Sequence, residues 1–187
     1  MTADVHARYF GTELNDRMET LAMKKAFGDR ASRVERGAAW SHVAWVTTAN
    51  DFAVYDGPGG VVAAVVEELS QRVDAALAAG IAPERIVVDP GLGFAKEADH
   101  NWALLAGLEQ VACLGHPILV GASRKSFLGS LLRGPDGAPR PVDERENANT
   151  ALTAMLAHRP VWALRVHDVR ASCDALRVVA RLEEKND

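Results

Sequence analysis

The sequence predicts an α/β fold with a parallel sheet covered by helices. Two observations carry that expectation and a third limits it. From residue 42 onward, short apolar segments alternate with stretches of helical periodicity, the pattern of successive strand–helix units. Arg85-Ile86-Val87-Val88 shows no polar alternation, as expected of a strand buried on both faces of a parallel sheet. About four such units are visible in 187 residues, whereas a closed barrel of eight units takes about 250 residues. The sheet is therefore half a barrel or a small open sheet.

Each element has its own grounds. Residues 42–48, His-Val-Ala-Trp-Val-Thr-Thr, are rich in β-branched and aromatic types and read as the first strand. Asp56-Gly57-Pro58-Gly59-Gly60 is a loop. A helix follows, with Val62, Val65, Val66, Leu69, Val73 and Leu77 on one face and Gly80 just past its end. The second strand stops at Asp89-Pro90-Gly91. Asp99 is placed to cap a helix carrying Trp102, Leu105, Leu108 and Ala112, closed by Gly115, before a third strand over 117–120. A short helix over 126–132, a Gly/Pro loop over 134–141 and a longer helix over about 143–158 come next. A last strand covers 161–166 and a last helix 172–182. Residues 1–41 lack this grammar and read as a divergent or poorly ordered segment, which leaves 42–187 as the domain.

Composition removes several classes of function. The chain is 48% apolar and 25% charged with a formal charge of −4, and its basic residues are spread out, so no nucleic-acid footprint is expected. No apolar run approaches the roughly 18 residues of a membrane span. The opening MTADVHARYF lacks the charged and apolar regions of a signal peptide, which predicts a cytoplasmic protein. Cys113 and Cys173 fall in expected helices and read as free, mostly buried thiols. Metal-ligand spacing, a nucleophile elbow and a full dinucleotide fingerprint are not seen, and Gly91-Leu92-Gly93 lacks the third glycine.

In parallel α/β folds the functional groups lie just beyond the carboxyl ends of the strands. Three such ends are rich in polar groups. The second strand runs into Asp89 and then Pro90-Gly91-Leu92-Gly93-Phe94-Ala95-Lys96. The third runs into Gly121-Ala122-Ser123-Arg124-Lys125-Ser126. The fourth carries Arg165, followed by His167 and Asp168. Lys125, Arg124, Arg165 and His167 would face one opening and suit a phosphate. Asp89 suits adjacent N–H donors, such as those of an aminopyrimidine. Plainer roles stand beside these. Asp89 can brace its turn, Lys125 and Arg124 can be a solvated helix start, and Arg165 can pair with Asp168 or Asp89. His167 can be a satisfied histidine, Phe94 is core or lid, and Lys96 reads as a solvated loop residue with a lesser chance of reaching phosphate.

Asp89-Pro90-Gly91-Leu92-Gly93-Phe94-Ala95-Lys96, Gly121-Ala122-Ser123-Arg124-Lys125-Ser126-Phe127 and Arg165-Val166-His167-Asp168-Val169 resemble, in order and spacing, the sixth, seventh and eighth strand ends of the dihydropteroate synthase family. The likeness runs from about residue 54 to 182. It implies a partial (β/α)8 TIM-type barrel, about the last four strand–helix units. It also implies a folate-pathway transferase that joins 6-hydroxymethyl-7,8-dihydropterin diphosphate to p-aminobenzoate and releases pyrophosphate. By that resemblance Asp89 binds the pterin N–H groups, Lys125 hydrogen-bonds the pterin and Arg165 stacks on it. Arg165 and His167 hold the diphosphate, and Ser126 lies near p-aminobenzoate. Phe94 and Gly121 belong to the same substrate-binding set. Magnesium is implied for the family, but its ligand is not found in this chain. Residues 1–41 carry none of the motifs of the family's first four strands, and Val46-Thr47-Thr48 stands where a Met-His pair is usual. A homo-oligomer or a complementing subunit is accordingly expected to complete the site. Two other readings stay open: a non-catalytic pterin-binding or partner subunit of a full-length synthase, and a truncated remnant.

Overall fold

The computed structural model describes residues 44–47, 55 and 58–184. The expectations for residues 1–41, and for Asp56 and Gly57, lie outside the described residues. Strand β1 (Ala44–Thr47) runs parallel to β2 (Ile86–Asp89), with Val46 opposite Val88 and Thr47 opposite Asp89. Strand β3 (Leu119–Val120) runs parallel to β4 (Ala163–Leu164). Among the described residues, a parallel bridge, Val88 to Ile118, joins the two pairs. The four strands thus lie side by side in chain order, as in one wall of a (β/α)8 barrel. Pro117 has no N–H to donate, so the regular ladder of β3 starts at Leu119, while the Pro117 carbonyl accepts from the Val88 N–H at 2.9 Å.

Alternation along the strands separates two faces. Ile86, Val88, Ile118, Val120 and Leu164 join the main core beneath the helices. Val87, Leu119 and Ala163 point to the other face, where they are buried together beside Trp162. This second layer corresponds to the inward-facing residues that fill a barrel.

Helix α1 (Gly60–Ala78) buries Val61, Val65, Leu69, Val73 and Ala76. The stripe is therefore rotated from the one expected: Leu77 is 39% exposed, and Val61 takes its place in the core. Gly80 adopts φ 86°, and its N–H donates to the Leu77 carbonyl while the Ile81 N–H donates to Ala76. That pair of bonds is the left-handed glycine stop read from the sequence.

The next expected helix is two. Helix α2 (Ala98–Ala106) and helix α3 (Leu108–Ala112) meet at Gly107, where an added Cβ would lie 2.9 Å from both methyls of Val62 in α1. The break lets α1 approach closely. The cap is Glu97, not Asp99; its carboxylate accepts from the first turn and its own N–H donates to His100 Nδ1 at 3.3 Å. Cys113, expected to be buried, is exposed just past α3; its thiol donates to the Glu109 carbonyl. Cys173 is half-buried, and neither cysteine forms a disulfide.

Helix α4 (Ser126–Leu131) is short, and a 3-10 turn (Val142–Glu144) precedes helix α5 (Glu146–Leu156), where one continuous helix was expected. Helix α6 (Val169–Glu183) starts before the expected residue 172, because Asp168 Oδ1 accepts the Ala171 N–H at 2.9 Å. Asp168 is thus the cap of α6. Among the described residues, no helix is long and apolar enough to cross a membrane.

Candidate functional site at the carboxyl rim

The loop after β2 is held by buried polar side chains. Asp89 is 5% exposed, and its Oδ1 accepts the Gly91 N–H at 2.8 Å, so it does brace the turn. Gly91 and Gly93 both take positive φ, 68° and 71°, and Ala95 follows at 47°. Such a run folds the loop back on the start of α2. There Asn101, 1% exposed, accepts the Gly93 N–H at 2.6 Å and donates to the Glu97 and Lys96 carbonyls. Lys96 departs from the sequence expectation. It is buried, and its ammonium donates to the carbonyls of Gly91 and Phe94, each at 3.2 Å. The positive-φ loop turns these carbonyls inward, so the lysine fastens the loop.

The loop after β3 meets it. The Lys125 ammonium lies 3.7 Å from the centroid of the Phe94 ring, a cation–π contact of about 0.5–2 kcal/mol. Phe94 is half-buried and outside the main core; its ring is the platform under Lys125. Gly93 makes room for that stem, since a Cβ there would come within 2.6 Å of Lys125 Cδ. Gly93→Ala is expected to push Lys125 off Phe94 and to cost about 1 kcal/mol or more through its left-handed φ. Thermal unfolding with and without a pterin checks this; an unchanged melting temperature and affinity would contradict it.

The end of β4 closes the cluster. The Arg165 N–H donates to the Val120 carbonyl at 2.9 Å, and its side chain passes over Gly121, whose added Cβ would sit 3.6 Å from Arg165 Cβ. His167 Nδ1 lies 2.8 Å from the Ser123 hydroxyl, and the His167 main-chain N–H donates to the same oxygen at 3.2 Å. Ser123 in turn donates to Glu146 Oε2 at 3.3 Å, while Arg124 Nε donates to Glu146 Oε1 at 2.6 Å. Arg124 takes φ 64°, and its carbonyl accepts from Arg145 Nη1 at 2.9 Å. Among the described residues, the two non-glycine residues with positive φ lie at this rim, Ala95 on the loop after β2 and Arg124 on the loop after β3, where strain points to function.

The electrostatics follow from crowding of like charge. Burial, then the neighbouring Arg165, push the Lys125 ammonium below the usual lysine range, against the opposing pull of Asp89. His167 is pushed below its ordinary value by burial, then by Arg124 and Arg165; Glu146 opposes this, and Lys125 adds to the depression. Crowded cations of this kind are relieved by an anion. Helix α4 has six residues, so side chains rather than a helix dipole supply the attraction.

The structure brings Asp89, Phe94, Gly121, Lys125, Arg165 and His167 to one rim. Ser126 opens α4 beside them and is exposed. Two contributors were missed in the sequence, Asn101 and Glu146. Asn101 carries a weak signal, a polar residue on a helix otherwise lined by Leu104 and Leu105; Glu146 carries none. Among the described residues, no group of three or more His, Cys, Asp and Glu could hold a metal ion. With Lys125, Arg124 and Arg165 dominating the rim, the donor set among the described residues does not fit magnesium.

The chain matches the family described as pterin binding enzyme over residues 19–167, a span that begins upstream of the motif likeness. It is 51% identical over 147 residues to a dihydropteroate synthase of Mycobacterium leprae (strain TN), covering 78% of this chain and 51% of that one. It is 41% identical over 118 residues to a dihydropteroate synthase of Streptococcus pyogenes, covering 63% and 43%. Among solved structures, it is similar to the dihydropteroate synthase from Xanthomonas albilineans in complex with 7,8-dihydropteroate. That match has a TM-score of 0.66 and 35% identity over 75% of this chain and 50% of that one. The same enzyme with 4-aminobenzoic acid gives a TM-score of 0.67 at 37% identity, over 75% and 49%. The chain thus spans about half the length of the relatives it matches.

Proposed function

This chain belongs to the pterin-binding enzyme family, and we propose that it supplies the pterin and diphosphate half of a dihydropteroate synthase site. The observation that carries the reading is the interlock of three strand-end loops: Lys125 on Phe94, Arg165 over Gly121, and His167 on Ser123. Asp89 takes the N–H edge of the pterin, Lys125 hydrogen-bonds the ring and Arg165 stacks on it. Arg165 and His167 face the diphosphate, and Ser126 borders p-aminobenzoate. In the reaction the amine nitrogen of p-aminobenzoate bonds to the pterin methylene as its C–O bond to the diphosphate breaks. The departing oxygen takes the electron pair, the amine gives up a proton, and 7,8-dihydropteroate and pyrophosphate result. Cations preorganised at the departing oxygens stabilise the charge that develops there.

The proposal includes a second copy or a complementing chain as a source of further site residues. A second reading, a non-catalytic pterin-binding or partner subunit, rests on the same rim, whose pterin-facing groups are held together by their own contacts. Purified protein is assayed for dihydropteroate formation from pterin diphosphate and p-aminobenzoate, with Lys125→Ala as control and calorimetry of the pterin alongside. Turnover that disappears in the control supports the first reading. Pterin binding without turnover supports the second. Folded protein that binds neither substrate overturns both and leaves a remnant.

A further inference from the structure

Ser123 has one hydroxyl hydrogen and three neighbours. The His167 main-chain N–H donates to its oxygen at 3.2 Å, Glu146 Oε2 lies at 3.3 Å, and His167 Nδ1 lies at 2.8 Å. A carboxylate has no hydrogen to give, so the contact with Glu146 is attractive only if the hydroxyl hydrogen points there. The contact with His167 then requires the hydrogen on Nδ1. All three contacts are satisfied in this arrangement; the reverse leaves the serine lone pairs against a carboxylate oxygen. Glu146 is itself fixed, because Arg124 Nε donates to its other oxygen, and Ser123 is 4% exposed, so water does not compete freely.

Resting on the synthase reading of this rim, we propose that Ser123 and Glu146 are positioning residues that hold His167 in the Nδ1–H form. This keeps Nε2 as the nitrogen that accepts a proton and donates it in a hydrogen bond to a diphosphate. His167 is exposed overall while Nδ1 is engaged, which leaves Nε2 for a ligand. The chain of donors runs from the ligand-facing Nε2–H through Nδ1–H and the serine hydroxyl to the Glu146 carboxylate. The charged groups around the ring are Arg124, Arg165 and Lys125, which disfavour the imidazolium, and Glu146, which favours it. An arriving anion offsets the three cations, so binding is coupled to proton uptake.

Nitrogen-15 NMR of His167, assigned by loss of its signals in His167→Gln, tests this in wild type, Ser123→Ala, Ser123→Thr and Glu146→Gln. Circular dichroism confirms that each variant is folded. The ligand-free wild type should show a protonated Nδ1 in the neutral ring. Ser123→Ala should shift the ring toward the Nε2–H form, and Ser123→Thr should restore it. Glu146→Gln should lower the titration midpoint. Inorganic pyrophosphate should raise the wild-type midpoint and bind about tenfold tighter to the protonated state for each unit of that rise. An unchanged tautomer and midpoint in folded Ser123→Ala and Glu146→Gln would overturn the positioning role whatever pyrophosphate does. Pyrophosphate that binds without moving the midpoint would overturn the donor role. Pyrophosphate that does not bind would instead sink the synthase reading, with the ligand-free spectra still deciding the positioning of the ring.

Discussion

Replacing Asn101 with alanine is expected to lower the free energy of unfolding by about 2–3 kcal/mol, the usual cost of leaving buried polar groups unpaired. The side chain is 1% exposed and holds the Gly93 N–H and two loop carbonyls. Without it, the Gly93 N–H loses its partner beneath a loop already held at three positive φ angles, at Gly91, Gly93 and Ala95. Urea unfolding checks this: the midpoint should fall with little change in slope. Asn101→Asp separates the two halves of the role. It keeps an acceptor for Gly93 but sets a carboxylate oxygen against the Lys96 and Glu97 carbonyls, so it should rescue little. A loss below about 0.5 kcal/mol in Asn101→Ala, the range of an ordinary surface change, would mean that the loop does not depend on this residue. The effect should also reach the ligand, because Phe94 and the Lys125 stem lie on the backbone that Asn101 holds.

That dependence shows where sequence reading succeeds and where it stops. The parallel wall was legible because Ile86-Val87-Val88 is buried on both faces, and a doubly buried strand must be uniformly apolar. Gly80 was legible because a helix stop is local. The rim residues were legible because polar groups just after apolar strands have few other reasons to be there. Contacts set by loop geometry or by a distant element were not legible. Lys96 reads as solvated until the positive-φ loop turns the Gly91 and Phe94 carbonyls onto it. Glu146 lies 23 residues from Ser123, and helical periodicity assigns it to solvent. Gly107 breaks a helix for the sake of Val62, a residue in another element. Asp168 looked like a rim charge because its neighbours are, yet its carboxylate caps α6. For Glu146 and Gly107 the deciding partner is remote in sequence; for Lys96 and Asp168 it is close by, but it depends on a loop or cap geometry that strand and helix periodicity do not carry.

Lys125→Ala should weaken binding of a pterin diphosphate roughly hundredfold, as expected for loss of a charge-assisted hydrogen bond from a half-buried ammonium. The cause is specific, because the ammonium is preorganised over Phe94 at 3.7 Å and its stem is wedged beside Gly93. Phe94→Leu should therefore weaken binding as well, by about 0.5–2 kcal/mol, through loss of the cation–π contact alone. The pH dependence gives an independent check. Only the charged lysine serves an anionic ligand, so affinity falls as pH rises through its pKa. Burial and Arg165 depress that pKa, so the fall begins at lower pH than for an ordinary lysine. By linkage the bound anion draws the pKa back up, and protons are taken up on binding in this alkaline range. Calorimetry in buffers of different ionisation enthalpy measures that uptake. In Lys125→Ala the alkaline uptake should vanish while any acid-side uptake at His167 remains. An alkaline limb that persisted in the variant would assign it to another group, and would remove Lys125 from contact with the ligand.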